Sequence, residues 1–134
     1  MRRTKILLIN PSLTGDINSG IFSIKTPLGL MYIAAYLEKY RYTPEILDCR
    51  AYWECVEKMS DGTYKVGLPD DRIIEKLKEF QPDIVGITCS FTVYENDSID
   101  VAKLVKKYTK AIIVFGGAHS SANPSAVLKN KEVD

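Results

Sequence analysis

A chain of 134 residues, 46% hydrophobic and 26% charged, is long enough for one globular core and too short for two ordinary ones. Its 18 Lys and Arg nearly balance its 17 Asp and Glu, and a net charge of +1 argues against a surface built for nucleic-acid phosphates or anionic lipid, so no nucleic-acid partner is expected. The longest apolar runs, such as Ile6 to Ile9, fall far short of the roughly twenty residues that span a bilayer, and Met1-Arg2-Arg3 leads into no signal-peptide pattern. The chain therefore reads as cytoplasmic with no membrane span. Cys49, Cys55 and Cys89 are odd in number and have no Cys-x-x-Cys spacing, which fits reduced thiols and leaves no iron–sulfur or zinc site for this chain alone.

Along the chain, Lys5 to Ile9 is a continuous aliphatic run of the kind found in strands covered on both faces. Thr26 as N-cap and Pro27 as first helical residue open a helix whose Leu30, Ile33, Ala34 and Leu37 share one face, ending near Tyr40. Glu45 to Asp48 is a short second strand. Asp70 or Asp71 opens a second helix with Ile73, Ile74, Leu77 and Phe80 on its buried stripe, stopped by Pro82. Asp83 to Cys89 is the third strand. Thr92 to Glu95 has capping-box spacing, and Ile99, Ala102, Val105 and Tyr108 continue a helical face behind it. Ala111 to Phe115 is the fourth strand, Gly116-Gly117 turns the chain, and Asn123-Pro124 opens a short helix through Leu128. Two loops, Asn10 to Lys25 and Cys49 to Pro69, are too long to be simple connectors; the second has a turn signal at Asp61-Gly62.

Strand–helix units in succession imply an α/β, Rossmann-like, doubly wound parallel sheet with right-handed crossovers. The expected strand order is 2-1-3-4, the flavodoxin-like arrangement, which places a crevice beyond the carboxyl ends of the first and third strands. Function is thus to be sought from Asn10 onward, in Thr88 to Thr92 and in Gly116 to His119. The chain has no Gly-x4-Gly-Lys-Ser/Thr phosphate loop, and Asn10-Pro11-Ser12-Leu13-Thr14-Gly15 stands where a Gly-x-Gly-x-x-Gly dinucleotide fingerprint would be. The strand ends also lack the aspartate of a phosphoacceptor receiver.

Four segments, Lys5 to Pro11, Pro27 to Leu37, Pro82 to Ile87 and Val114 to His119, give the chain a resemblance over nearly its whole length. In their order and spacing they resemble the N-terminal cobalamin-binding-type domain of radical SAM enzymes. The resemblance implies a corrinoid lying across the strand ends with its nucleotide tail in the crevice, serving methyl transfer or rearrangement. It makes Asn10, Pro11, Thr88, Ser90, Thr92, Gly116, Gly117, Ala118 and His119 candidate cofactor-binding residues, with Thr88, Ser90 and Thr92 supplying hydroxyls and the glycines close backbone approach. Gly117→Leu is the substitution expected to block the tail. The family's Asp-x-His-x-x-Gly motif, whose histidine ligates cobalt, has no counterpart here, since the single histidine is His119 on another loop. The Cys-x3-Cys-x2-Cys cluster motif is absent as well, so the iron–sulfur cluster and S-adenosylmethionine are expected only in a downstream barrel domain, the expected partner. Residues 1–134 then read as the N-terminal part of a longer radical SAM protein lacking its fifth strand, with the fourth strand an unprotected edge. No residue reads as catalytic or metal-ligating.

Each candidate also has a plainer role. Thr92 can be only a helix cap, Gly116 and Gly117 only a turn, and His119 a loop histidine bonded to backbone. Gly29 reads as a close helix–sheet contact, Asp48 as a solvated strand end, Tyr52 and Trp53 as local loop packing, and Cys89 as a buried apolar thiol. Two other classes of function stand beside cobalamin binding. One is a ligand-free module shaping the substrate entrance of a radical SAM barrel. The other is a flavin-binding domain, suggested by Ser12 to Gly15 but disfavoured because the first helix begins too late for its N-terminus to hold a phosphate.

Overall fold

The computed structural model describes residues 3–20, 22 and 25–134. Its core is a parallel four-stranded sheet made of β1 (Ile6–Asn10), β3 (Glu45–Asp48), β6 (Ile84–Thr88) and β7 (Ile112–Gly116), in the order β3-β1-β6-β7. That is the flavodoxin-like order expected from the alternation of strand and helix signals. Leu8 pairs in register with Ile46 on one side and Gly86 on the other, and Gly86 pairs in turn with Val114. Three longer helices connect the strands: α1 (Leu28–Lys39), α2 (Asp70–Phe80) and α3 (Glu95–Tyr108).

The period-two geometry of the strands divides their side chains between two faces. The back face carries Leu7, Ile9, Val85, Ile87 and Ile113, which pack with Ile73 and Leu77 of α2 and Val101, Ala102 and Val105 of α3 into the main core. The front face carries Ile6, Leu8 and Ile84 under Leu30, Ala34 and Leu37 of α1. α1 covers only part of that face. Ile112 and Val114 remain 55% and 51% exposed. On the outer edge of β7 the Asp134 N–H donates to the Ile113 carbonyl and its carboxylate accepts from the Ile113 N–H, so this edge is partly met by residues that follow the last helix.

Several local expectations give way to geometry. α1 starts one residue later than expected, with Pro27 as its N-cap and no side-chain cap bond from Thr26. α2 begins at Asp70 and ends where Gln81 takes a left-handed conformation (φ 48°) just ahead of Pro82, which cannot continue the helix. Gly29 does not touch the sheet, because a Cβ built there meets nothing within 4 Å. Asp48 is no solvated strand end: its carboxylate accepts from Asn10 Nδ2 at 2.8 Å and from the Arg50 backbone N–H at 3.2 Å. The short helix α4 (Ala118–Ala122) follows β7 without having been expected, and Pro124 opens the next one, α5 (Pro124–Val127).

The two long loops pair with each other. β2 (Leu13–Gly15) from the first and the hairpin β4 (Val56–Lys58) and β5 (Tyr64–Val66) from the second form a small antiparallel sheet in the order β2-β5-β4. The hairpin turns at Asp61-Gly62, where Gly62 has φ 88°. Ser12 Oγ donates to the Leu68 carbonyl, fastening this sheet to the main body. Ile21, Ser23 and Ile24 of the first loop lie outside the described residues, as do Met1 and Arg2. Among the described residues no helix is long and apolar enough to cross a membrane.

Candidate functional site

The part of the front face that α1 leaves open is a cleft of about 610 Å³ that runs from Ile6 and Leu8 to the carboxyl ends of β1, β6 and β7. Its floor is set by a missing side chain. Gly86 sits between Leu8 and Val114 in the sheet, and a Cβ on it would come within 2.8 Å of Leu8 Cδ2. One wall is α1, with Leu30, Ile33 and Leu37; the rim at the strand ends carries Asn10, Thr88, Ser90, Gly116 and Gly117. Thr88 Oγ1 and Ser90 Oγ are 3.5 Å apart, a long contact that leaves both hydroxyls able to bond a ligand. Asn10 is held by Asp48, which orients its amide. Apolar walls with a few placed polar groups at one end are the usual make-up of a small-molecule site.

The two adjacent glycines do different work. Gly117 has φ 115°, and a Cβ there would lie 2.7 Å from the Cys89 carbonyl oxygen, so a glycine is needed where the residues after β6 and β7 approach each other closely. Gly117→Leu would therefore strain the backbone before it reached any ligand, and it does not report on the cleft. Gly116 meets nothing within 4 Å of a built Cβ and lines the cleft, so it is the position at which a side chain would occupy the opening alone.

Thr92 and Glu95 do not form the expected capping box. Thr92 to Tyr94 is a turn of 3-10 helix, and neither it nor the start of α3 has a side-chain cap bond. Both side chains converge on His119: Thr92 Oγ1 lies 3.0 Å from its Nδ1, and Glu95 Oε2 lies 2.6 Å from its Nε2. With one ring nitrogen on each, the buried imidazole ties the turn after β7 to the segment after β6, the two that frame the cleft rim. Ser98 Oγ adds to the same frame, lying within bonding distance of the Thr88 and Tyr94 carbonyls.

The structure thus brings Asn10, Thr88, Ser90, Gly116 and Gly117 together on the cleft, while Pro11, Thr92, Ala118 and His119 are not among its lining residues. Pro11 is fully buried, and its carbonyl accepts from Arg50 Nε at 2.9 Å. Among the lining residues that were not candidates, Gly86 stands inside a strand motif with no sign of which face it serves, Arg50 lies in a long loop, and Phe91 lies within the Thr88 to Thr92 segment without being singled out. Phe91 is 61% exposed at the rim and stands edge-on to Tyr94. Of the three cysteines, Cys49 and Cys89 are buried. Burial pushes Cys49 up to about 12 and raises Cys89 above the usual thiol range, so neither is a thiolate near neutral pH.

A family model described as the B12 binding domain matches residues 21–134. Over 137 aligned residues the chain is 39% identical to a cytidylyl-2-hydroxyethylphosphonate methyltransferase of Streptomyces wedmorensis, taking in 99% of this chain and 26% of that protein. It is 30% identical over 130 residues to an uncharacterized methyltransferase of Pyrococcus horikoshii, across 96% of this chain and 25% of the relative. Among solved structures it is similar to the radical S-adenosylmethionine methyltransferase TsrM of Kitasatospora setae, which has cobalamin and a 4Fe-4S cluster bound. That match has a TM-score of 0.67 and 21% identity, over 96% of this chain and 21% of the other. The chain spans about a quarter of the length of the curated relatives it matches.

Proposed function

The chain belongs to the B12-binding domain family, and from that premise we propose that it binds cobalamin in the front-face cleft, with the corrin over the carboxyl ends of the strands. The observation that carries this reading is the cleft itself. It is long and apolar between α1 and the sheet, kept open by Gly86, and rimmed by Asn10, Thr88 and Ser90. A cobalamin nucleotide tail has matching chemistry, a flat aromatic base suited to the apolar interior and a ribose and phosphate suited to the polar rim. When bound, cobalamin supplies a cobalt centre able to carry a methyl group. The residues of this chain bind and orient: α1 and the sheet exclude water from the tail, Thr88 and Ser90 offer hydroxyls, and exposed Phe91 gives an aromatic edge beside the macrocycle. His119 is buried with both ring nitrogens engaged, so it acts in this reading by holding the rim rather than by ligating cobalt.

In the same reading the chain is the N-terminal portion of a longer radical SAM protein. An iron–sulfur cluster and S-adenosylmethionine belong to a downstream barrel that uses the cobalamin for methyl transfer, as the names of the methyltransferase relatives suggest. The outer face of α1 supports a role in domain contact as well. Leu28, Tyr32, Tyr36 and Tyr40 recur every fourth residue and are 57–76% exposed, an apolar stripe that packing on the sheet does not use.

Titration with hydroxocobalamin and, separately, flavin mononucleotide tests the reading. The expected result is a saturable change in the cobalamin visible spectrum, none for the flavin, and loss of the cobalamin response in Gly116→Leu with an unchanged circular dichroism spectrum. No spectral change and no complex surviving gel filtration would instead favour a ligand-free interaction module.

A further inference from the structure

The charge of the cleft is lopsided. Among the described residues its lining includes two cations, Lys25 and Arg50, and no carboxylate. Arg50 is the more constrained. It sits in the 3-10 turn Cys49–Tyr52 that follows β3, half-buried, with Nε donating to the Pro11 carbonyl at 2.9 Å and the guanidinium carbon 4.9 Å above the Tyr94 ring. Backbone on one side and an aromatic face on the other fix the plane of the guanidinium, leaving little rotamer freedom to lose on binding. Among the described residues the Pro11 carbonyl is the one hydrogen-bond acceptor that meets its five N–H donors.

The neighbouring carboxylates do not complete the set. Asp48 accepts from Asn10 and the Arg50 backbone, Asp97 accepts from the Thr14 N–H at 3.0 Å, and neither forms an ion pair with the guanidinium. Burial lowers the pKa of Arg50 and raises that of Asp97, so each charge sits in a place that water reaches poorly. A poorly hydrated arginine on a pocket wall, with donors to spare, matches an oxyanion of one negative charge whose two free oxygens can take the guanidinium fork.

We infer that Arg50 is the anion seat of the cleft and pairs with the phosphodiester of the bound nucleotide tail. The inference rests on the cobalamin reading above and adds to it the residue that recognises the charge of the ligand. Arg50 is then a specificity residue, separating corrinoids with a nucleotide loop from those without one.

The test compares hydroxocobalamin with dicyanocobinamide, a corrin lacking the nucleotide loop and its phosphodiester, on the 134-residue chain and its Arg50→Met and Arg50→Lys variants. Arg50→Met is expected to weaken cobalamin binding about tenfold or more while leaving cobinamide affinity unchanged. Arg50→Lys should fall between, since it keeps the charge and loses the fork. Added salt should weaken cobalamin binding to the unsubstituted chain more than to Arg50→Met. A measurement free of variants accompanies these: α-ribazole 3′-phosphate should displace cobalamin at lower concentration than α-ribazole. Equal potency of those two competitors, or parallel loss of cobalamin and cobinamide affinity in both variants, would overturn the assignment. Failure of the unsubstituted chain to bind cobalamin would instead overturn the cleft reading itself, and the assignment with it.

Discussion

On the back of the parallel sheet, Leu7, Ile9, Val85 and Ile113 meet Leu77, Ala102 and Val105 with none of the seven more than 1% exposed. On the front, side chains of the same chemical kind end differently: Ile112 and Val114 are half exposed, Gly86 carries no side chain, and α1 leans over β1 and the start of β6 but leaves β7 bare. The back is packed as protein interiors normally are, and its filled volume is what holds the strands in place. The front is left short of apolar cover, which a folded chain tolerates when something else fills it. In the proposed reading stability and binding fall on opposite faces of one sheet, and substitutions can separate them.

The largest stability effect should come from the back. Leu77→Ala removes a fully buried side chain from the packed face and should cost about 2–5 kcal/mol in urea unfolding, while the fraction that stays folded keeps its ligand affinity. Gly117→Ala comes next, at about 1–3 kcal/mol, since alanine must adopt φ 115° with its Cβ against the Cys89 carbonyl. His119→Ala strips partners from Thr92 and Glu95 and should lower stability by about 1–3 kcal/mol; thermal melts check it, with a further drop in cobalamin affinity showing that the rim has loosened. The smallest effect belongs to the front-side exterior. Tyr32→Ser, at a residue 76% exposed on α1, should leave the melting temperature and cobalamin binding of this chain unmoved. A large loss of stability there would erase the contrast between the two faces.

Much of the sheet was legible because parallel strands covered on both faces are written as aliphatic runs, and Ile6–Asn10, Glu45–Asp48 and Ile84–Thr88 lie within a residue of where those runs stand. The small antiparallel sheet was not legible. Its strands are three residues each, too short to show alternation, and Leu13–Gly15 finds its partner Tyr64–Val66 some fifty residues away. α1 deceived for another reason. It is apolar almost all round, so the stripe through Leu30, Ile33, Ala34 and Leu37 was right for Leu30 and Ala34, while Ile33 is 48% exposed. Thr92 and Glu95 had the spacing of a cap, but the structure uses them to grip an imidazole that is remote in sequence, and spacing alone holds no information about such a partner. On the cleft, the lining positions Asn10, Thr88, Ser90 and Gly116 were legible because strand order locates the carboxyl ends. Gly86 and Arg50 could not, since one needs the facing of a mid-strand residue and the other the path of a long loop.

The division between the two faces is tested most directly by mapping hydroxocobalamin on the isotope-labelled chain through its backbone amide resonances. Binding in the front cleft predicts the largest shifts at Gly86, Thr88, Ser90, Gly116 and Gly117, with the amides of α2 and α3 at the back nearly still. Shifts centred on the small antiparallel sheet or on the outer tyrosines of α1, or no shifts at saturating ligand, would contradict it.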